Sequence, residues 1–144
     1  MILRAYSTKW TVTFHDEFKA EFDELDQEVK DELLAEAKFV EKFGPETSRP
    51  HVDTLHGSDF PNMKELRFEA NDCEWRAAFA FDPKREAIVL IAADKSGVSE
   101  KRFYKRLIDK ADARYARHLG TLKAGGRSVA AQNSTSKPRK RKRG

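Results

Sequence analysis

The 144-residue sequence predicts an α+β domain with a mainly antiparallel sheet, followed by a basic disordered tail. Three observations carry this. Two alternating apolar–polar runs, 63–70 (MKELRFEA) and 73–81 (CEWRAAFAF), precede a continuously apolar run, 87–93 (AIVLIAA). Two stretches of helical spacing come before these strands, and one comes after them. Charge is divided along the chain: residues 1–97 hold 13 basic and 21 acidic side chains, and residues 98–144 hold 15 basic and 3 acidic. The order reads β-α-α-β-β-β-α. A domain over 1–120 and a tail over 121–144 follow from it.

Trp10 to Phe14 alternates and is rich in β-formers, as a strand with one buried face should be. Phe18, Phe22 and Leu25 then recur at i, i+4 and i+7, giving a first helix. A break near Asp26 begins a second, whose inner stripe is Val29, Leu33, Ala37 and Val40. Phe43-Gly44-Pro45 stops it, because glycine takes a left-handed cap and proline cannot continue a helix. The two form an acidic helical hairpin. Residues 45–62 contain three of the five prolines and read as irregular loop. After the three strands, Ser99 is a candidate N-cap with Glu100 in the first turn. Phe103, Leu107, Ala111, Tyr115 and Leu119 repeat every four residues as the packing stripe of a third helix. Gly120 is expected to end it, and the tail closes on a Lys/Arg block over 137–143.

The first hairpin permits a register argument. Leu66, Phe68 and Ala70 share one face of their strand, as Trp75, Ala77 and Phe79 do of theirs. Both sets face one core only if the loop has an even number of residues. A two-residue Asn71-Asp72 turn satisfies this with residues that tolerate positive φ. Phe68 then lies opposite Trp75, and Arg67 opposite Arg76 on the other face. Like charges opposed across strands destabilise a sheet. The pair implies either an anion-binding role or neutralisation by Glu65 and Glu69, which share the face of Arg67.

The net charge is +4. A basic arm suits a polyanion or an acidic partner chain; it also suits a solvated tail. No apolar run approaches the roughly 18 residues of a membrane-spanning helix. The N-terminal MILRAY lacks the apolar stretch of a signal peptide. The single cysteine, Cys73, cannot form an intramolecular disulfide or a cysteine-based zinc cage, so a reducing cytoplasm is the expected compartment. His15, His51, His56 and His118 show no helical ligand spacing beside a carboxylate, and no phosphate-binding glycine loop or nucleophile elbow occurs. Neither a metal nor a cofactor is expected. What remains is a cationic surface. Arg67 and Arg76 are expected on the non-core face of the hairpin. Lys95 stands at the end of the apolar strand, and Lys101, Arg102, Tyr104 and Lys105 in the first turns of the last helix. Guanidinium forks and ammonium groups suit phosphates, and a tyrosine can stack on a base, carry a proton or simply pack beside Ile108.

The run MKELRF, then EWRAAFAFD, then AIVLIAADKSGVSEKRFY and a closing helix, resembles the RelE/ParE toxin superfamily, most of all its HigB-like, phage-derived branch. The resemblance covers roughly residues 10–119. It implies a small RelE-like fold and the toxin of a type II toxin–antitoxin pair. The implied activity is a ribosome-dependent endoribonuclease that cuts mRNA without a metal, a 2′-hydroxyl attacking the adjacent phosphate while cations stabilise the charge. By position it implies Arg67, Arg76, Lys95 and Tyr104 as catalytic residues, with Lys64, Lys101, Arg102 and Lys105 binding RNA around them. Substituting Arg76 or Lys95 is then expected to silence the toxin while preserving its fold. Many relatives show paired lysines where this chain has Ala93-Asp94-Lys95-Ser96, so one cation of the pattern is missing. The implied partners are a cognate antitoxin, the ribosome and mRNA. Two other readings are a gyrase-targeting relative that cleaves nothing, and a non-enzymatic nucleic-acid-binding module driven by the tail.

Overall fold

The computed structural model describes residues 10–125. Its elements are β1 (Thr11–Phe14), α1 (Asp16–Asp23), α2 (Gln27–Phe43), a single 3₁₀ turn (Gly44–Glu46), β2 (Val52–Thr54), β3 (Met63–Ala70), β4 (Cys73–Phe81), β5 (Glu86–Asp94) and α3 (Glu100–Gly125). The five strands form one sheet in the order β1-β5-β4-β3-β2. All neighbours are antiparallel except β1 and β5, which run parallel. The α+β class stands, with one strand more than the sequence order contained. That strand is β2, inside the proline-rich stretch read as loop; it pairs Val52 with Leu66 at the sheet edge.

The hairpin register is the one argued from the sequence. Arg67 faces Arg76 and Phe68 faces Trp75. Asn71 and Asp72 turn the chain at φ 54° and 63°, the left-handed values a two-residue hairpin loop requires. Strand β5 is an interior strand, lying between β1 and the central β4. Ala87 and Val89 belong to one core and Ile88 and Leu90 to another, so its continuous apolarity reflects cover on both faces.

The two cores make a three-layer molecule. On one face α1 and α2 bring Phe18, Val29, Leu33 and Val40 onto Leu66, Phe68, Ala77 and Phe79. On the other, α3 brings Phe103, Leu107, Ala111 and Tyr115 onto Met63, Ala78, Ala80, Ile88 and Leu90. This second layer corrects one expectation: the arginine-bearing face of the β3–β4 hairpin is not a free surface. The alanines of β4 let α3 approach closely, and Arg76 is buried as a result, with 4% of its surface exposed.

The caps follow the sequence. The Arg102 amide donates to Ser99 Oγ at 3.3 Å, starting α3. Gly44 ends α2 at φ 57°, and its missing side chain leaves room for the Trp10 indole. Helix α3 does not stop at Gly120 but continues to Gly125. Gly120 stands in open space on the solvent side, where a glycine costs only about 1 kcal/mol relative to alanine, and no proline follows to break the turn. The expected tail otherwise lies outside the described residues. Helix α1 is held to α3 by Arg114, which is buried and donates to both oxygens of Glu21 and, at 2.8 Å, to the Leu90 carbonyl.

Candidate nucleic-acid groove

One groove of about 560 Å³ joins several of the residues singled out in the sequence. Its walls are the β2 edge and the β2–β3 loop on one side (Arg49, Asp53, Thr54, Leu55, His56) and the start of α3 on the other (Glu100, Lys101, Tyr104); Glu65 and Arg67 of β3 form its floor. Residues Asp53, Glu65 and Arg67 meet here because β2 pairs with β3, placing Asp53 opposite Glu65.

Beneath the groove runs a relay of hydrogen bonds. Arg76 Nε donates to the Tyr104 hydroxyl at 3.1 Å, and that hydroxyl donates to Glu65 Oε1 at 2.8 Å. The second Glu65 oxygen accepts from Arg67 at 3.0 Å. Arg76 Nε also lies 3.6 Å from Glu65, while its two Nη atoms donate to the Trp75 carbonyl and to Glu74. The opposed arginines are thus neutralised by Glu65 and Glu74. Glu69, the other acid expected to serve, is exposed on the strand. Burial raises the Tyr104 pKa above the ordinary phenol range; Glu65 adds to the rise and the Arg76 hydrogen bond opposes it. Tyr104 therefore holds its proton at neutral pH and acts as a donor. Its ring packs on the α3 core beside Ile108, so packing and polar contacts coexist in one residue.

The remaining candidates separate by position. Lys95 stands beside the relay: its Nζ sits 5.7 Å from the centre of the Tyr104 ring and pairs with Glu74 and Glu100 at 3.8 and 3.5 Å. Lys101 lines the groove. Lys64 shares strand parity with Leu66, so it emerges on the α2 side of the sheet, where it donates to Thr54 Oγ1 at 3.0 Å. Arg102 and Lys105 are exposed on α3 outside the groove, Lys105 bonded to Asp109. The structure thus brings Arg67, Arg76, Lys95, Tyr104 and Lys101 together and leaves Lys64, Arg102 and Lys105 apart.

Three groove residues were not singled out for it. Arg49 is clamped by Asp53 at 3.0 and 2.8 Å, and this guanidinium holds the Asp53 carboxyl below the usual carboxylate range. His56 enters from the β2–β3 loop, and Glu65 is the acceptor on which the relay converges. The only sequence signal for Glu65 was its shared face with Arg67. Just before β2, His51 is bonded to Glu36 and stacked on Phe39. Among the described residues no group of three or more His, Cys, Asp or Glu side chains is placed to hold a metal ion. Nor is any described helix long and apolar enough to cross a membrane.

A mostly antiparallel sheet between an N-terminal helical hairpin and a C-terminal helix is the RelE architecture. A free-state mutant of the Escherichia coli toxin RelE superimposes with a TM-score of 0.51, covering 71% of this chain and 96% of that one at 14% identity, a likeness of fold. The chain belongs to the family of phage-derived Gp49-like proteins (DUF891), whose model matches residues 20–116. Two Mycobacterium tuberculosis proteins that carry toxin names are similar to it. HigB2 is 37% identical over 138 residues, 95% of this chain and 62% of HigB2; HigB3 is 38% identical over 105 residues, 73% of this chain and 90% of HigB3. The chain thus spans less than two thirds of HigB2.

Proposed function

We propose that this protein is the toxin of a type II toxin–antitoxin pair and that it cuts mRNA on the ribosome through the β3–α3 groove. The carrying observation is the relay in which a protonated tyrosine, a carboxylate and two arginines converge at the floor of an open groove. Chemistry on a phosphodiester needs cations beside the phosphate and groups that move protons to and from its oxygens. Arg67 supplies the cation, with 26% of its side chain exposed to the groove, and Lys101 adds a second charge at the rim. Tyr104 supplies a donor, oriented by Arg76 from beneath. His56 contributes an imidazole to the groove wall. Family membership and the toxin names of HigB2 and HigB3 support the toxin reading, with a cytoplasmic site of action and an antitoxin as partner.

Mapping of mRNA 5′ ends after brief expression tests it. New ends should appear within translated codons, and Arg67→Ala should remove them. Intact mRNA accompanied by DNA damage would replace this reading with a gyrase-directed one.

A further inference from the structure

The outward face of α3 carries a second cationic surface, distinct from the groove. Among the described residues almost every arginine is committed. Arg49 pairs with Asp53, Arg67 with Glu65, Arg76 with Glu65 and Glu74, Arg114 with Glu21, and Arg117 with Glu17, while Arg85 lies over the Trp10 ring. Arg102 and Arg106 have no acidic partner among the described residues, and neither has Lys110 one turn further on. At 3.6 residues per turn these three lie within about 80° of one another and about 6 Å apart along the axis. The helix's own acids are drawn away from them. Asp109 is taken by Lys105 at 3.0 Å, and Asp112 is turned inward to Ser58 Oγ and the Asp59 amide. Alanines 113 and 116 and Gly120 leave the face beyond the stripe low and accessible.

We propose that Arg102, Arg106 and Lys110 form a docking track for the sugar–phosphate backbone of RNA, separate from the cleavage groove that Lys101 lines. The one-turn repeat is comparable to the separation of successive phosphates along a strand, so one chain can meet all three side chains in turn. Arginine at two of three positions suits bidentate phosphate contact. The opposite side of the molecule strengthens this. Residues 16–43, the α1–α2 hairpin, hold 11 acidic and 4 basic side chains, so a polyanion is repelled there and drawn toward α3. The track rests on the mRNA reading only for the choice of RNA as the polyanion. It orients the protein and carries no chemistry.

The test is the salt dependence of binding of the full chain to a fluorescein-labelled 2′-O-methyl RNA hairpin, which cannot be cut by its own 2′ oxygen. Between about 50 and 200 mM salt, each phosphate contact contributes about 0.7 to 0.9 to the slope of log K against log salt. The triple variant Arg102→Ala, Arg106→Ala, Lys110→Ala should lower that slope by about 2 to 3. A control removing equal charge, Lys19→Ala, Lys38→Ala, Lys84→Ala, should leave it within about 0.5 of the parent. Equal slopes for parent and triple variant overturn the track. A triple variant that keeps its RNA slope but loses binding to a polyglutamate peptide also overturns it and assigns the face to an acidic protein. Because the probe cannot be cleaved, failure here leaves the groove reading intact, and failure of mRNA cleavage leaves the track intact.

Discussion

The two opposed arginines of the hairpin are expected to fail in different ways when removed. Arg76 is 4% exposed and lies 3.6 Å from Glu65, itself 4% exposed. At an effective dielectric near 20 that contact is worth about 5 kcal/mol of Coulomb energy before desolvation is subtracted. Arg76→Ala leaves Glu65 with Tyr104 and Arg67 as partners and strips Glu65 of its buried cation. The net loss should be about 3 kcal/mol, at the low end for breaking a buried pair and a large part of the roughly 5–15 kcal/mol of a typical domain. Arg67 is more exposed, and Arg67→Ala should cost about 1 kcal/mol or less. Urea unfolding followed by tryptophan fluorescence, with Trp75 adjacent to the site, measures both. Replacing Arg76 and Glu65 together by methionine should recover only part of the loss: an apolar pair replaces a buried ionic one at little cost, but the Tyr104 hydroxyl is left without either partner. An Arg76→Ala midpoint within about 1 kcal/mol of the parent would refute the burial argument. The expectation that an Arg76 substitution silences the toxin with its fold intact therefore passes to Arg67.

Other outcomes follow from the same contacts. Gly44→Ala places a methyl group against the Trp10 indole at a left-handed residue, and should lower stability by about 1–3 kcal/mol with a changed near-ultraviolet signal from Trp10. Arg114→Leu strands Glu21 and releases α1 from α3, so hydrogen exchange should speed up in α1 before it does in β4. His15 caps α1 by accepting from the Glu17 amide, and burial, opposed by the Glu17 charge, lowers its pKa below 6.5. The unfolded chain therefore binds the proton first as pH falls. The cap's contribution is full above about pH 6.5 and declines as pH drops through that value. Urea midpoints measured from about pH 8 to 5.5 should show this slope reduced in His15→Asn, which caps without titrating.

Much of the fold was legible because its signals are local. The Asn71-Asp72 turn and two period-two strands fix the hairpin register, and the unbroken apolar run of β5 marks an interior strand covered on both faces. Strand β2 was not legible: three residues, Val52 to Thr54, are too few for a periodicity, and their pairing depends on β3. The parallel union of β1 with β5 joins segments some 75 residues apart in sequence and leaves no local trace. The burial of Arg76 was hidden for a different reason. Ala78 and Ala80 read as the plain side of an alternating strand, yet their small size is what admits α3. The candidate site divides in the same way. Arg67, Lys95, Lys101 and Tyr104 were found from residue type and position, whereas Arg49 and His56 enter through the β2 connection that the sequence concealed.

The central claim is that the β3–α3 groove cuts mRNA on the ribosome. A reconstituted translation system with purified protein tests it most directly, with mRNA followed by primer extension. Cleavage should require ribosomes, occur within the translated frame, and disappear in Arg67→Ala while that variant stays folded, within about 1 kcal/mol of the parent. Intact mRNA in the presence of ribosomes and folded parent protein, or undiminished cleavage by folded Arg67→Ala, would contradict it.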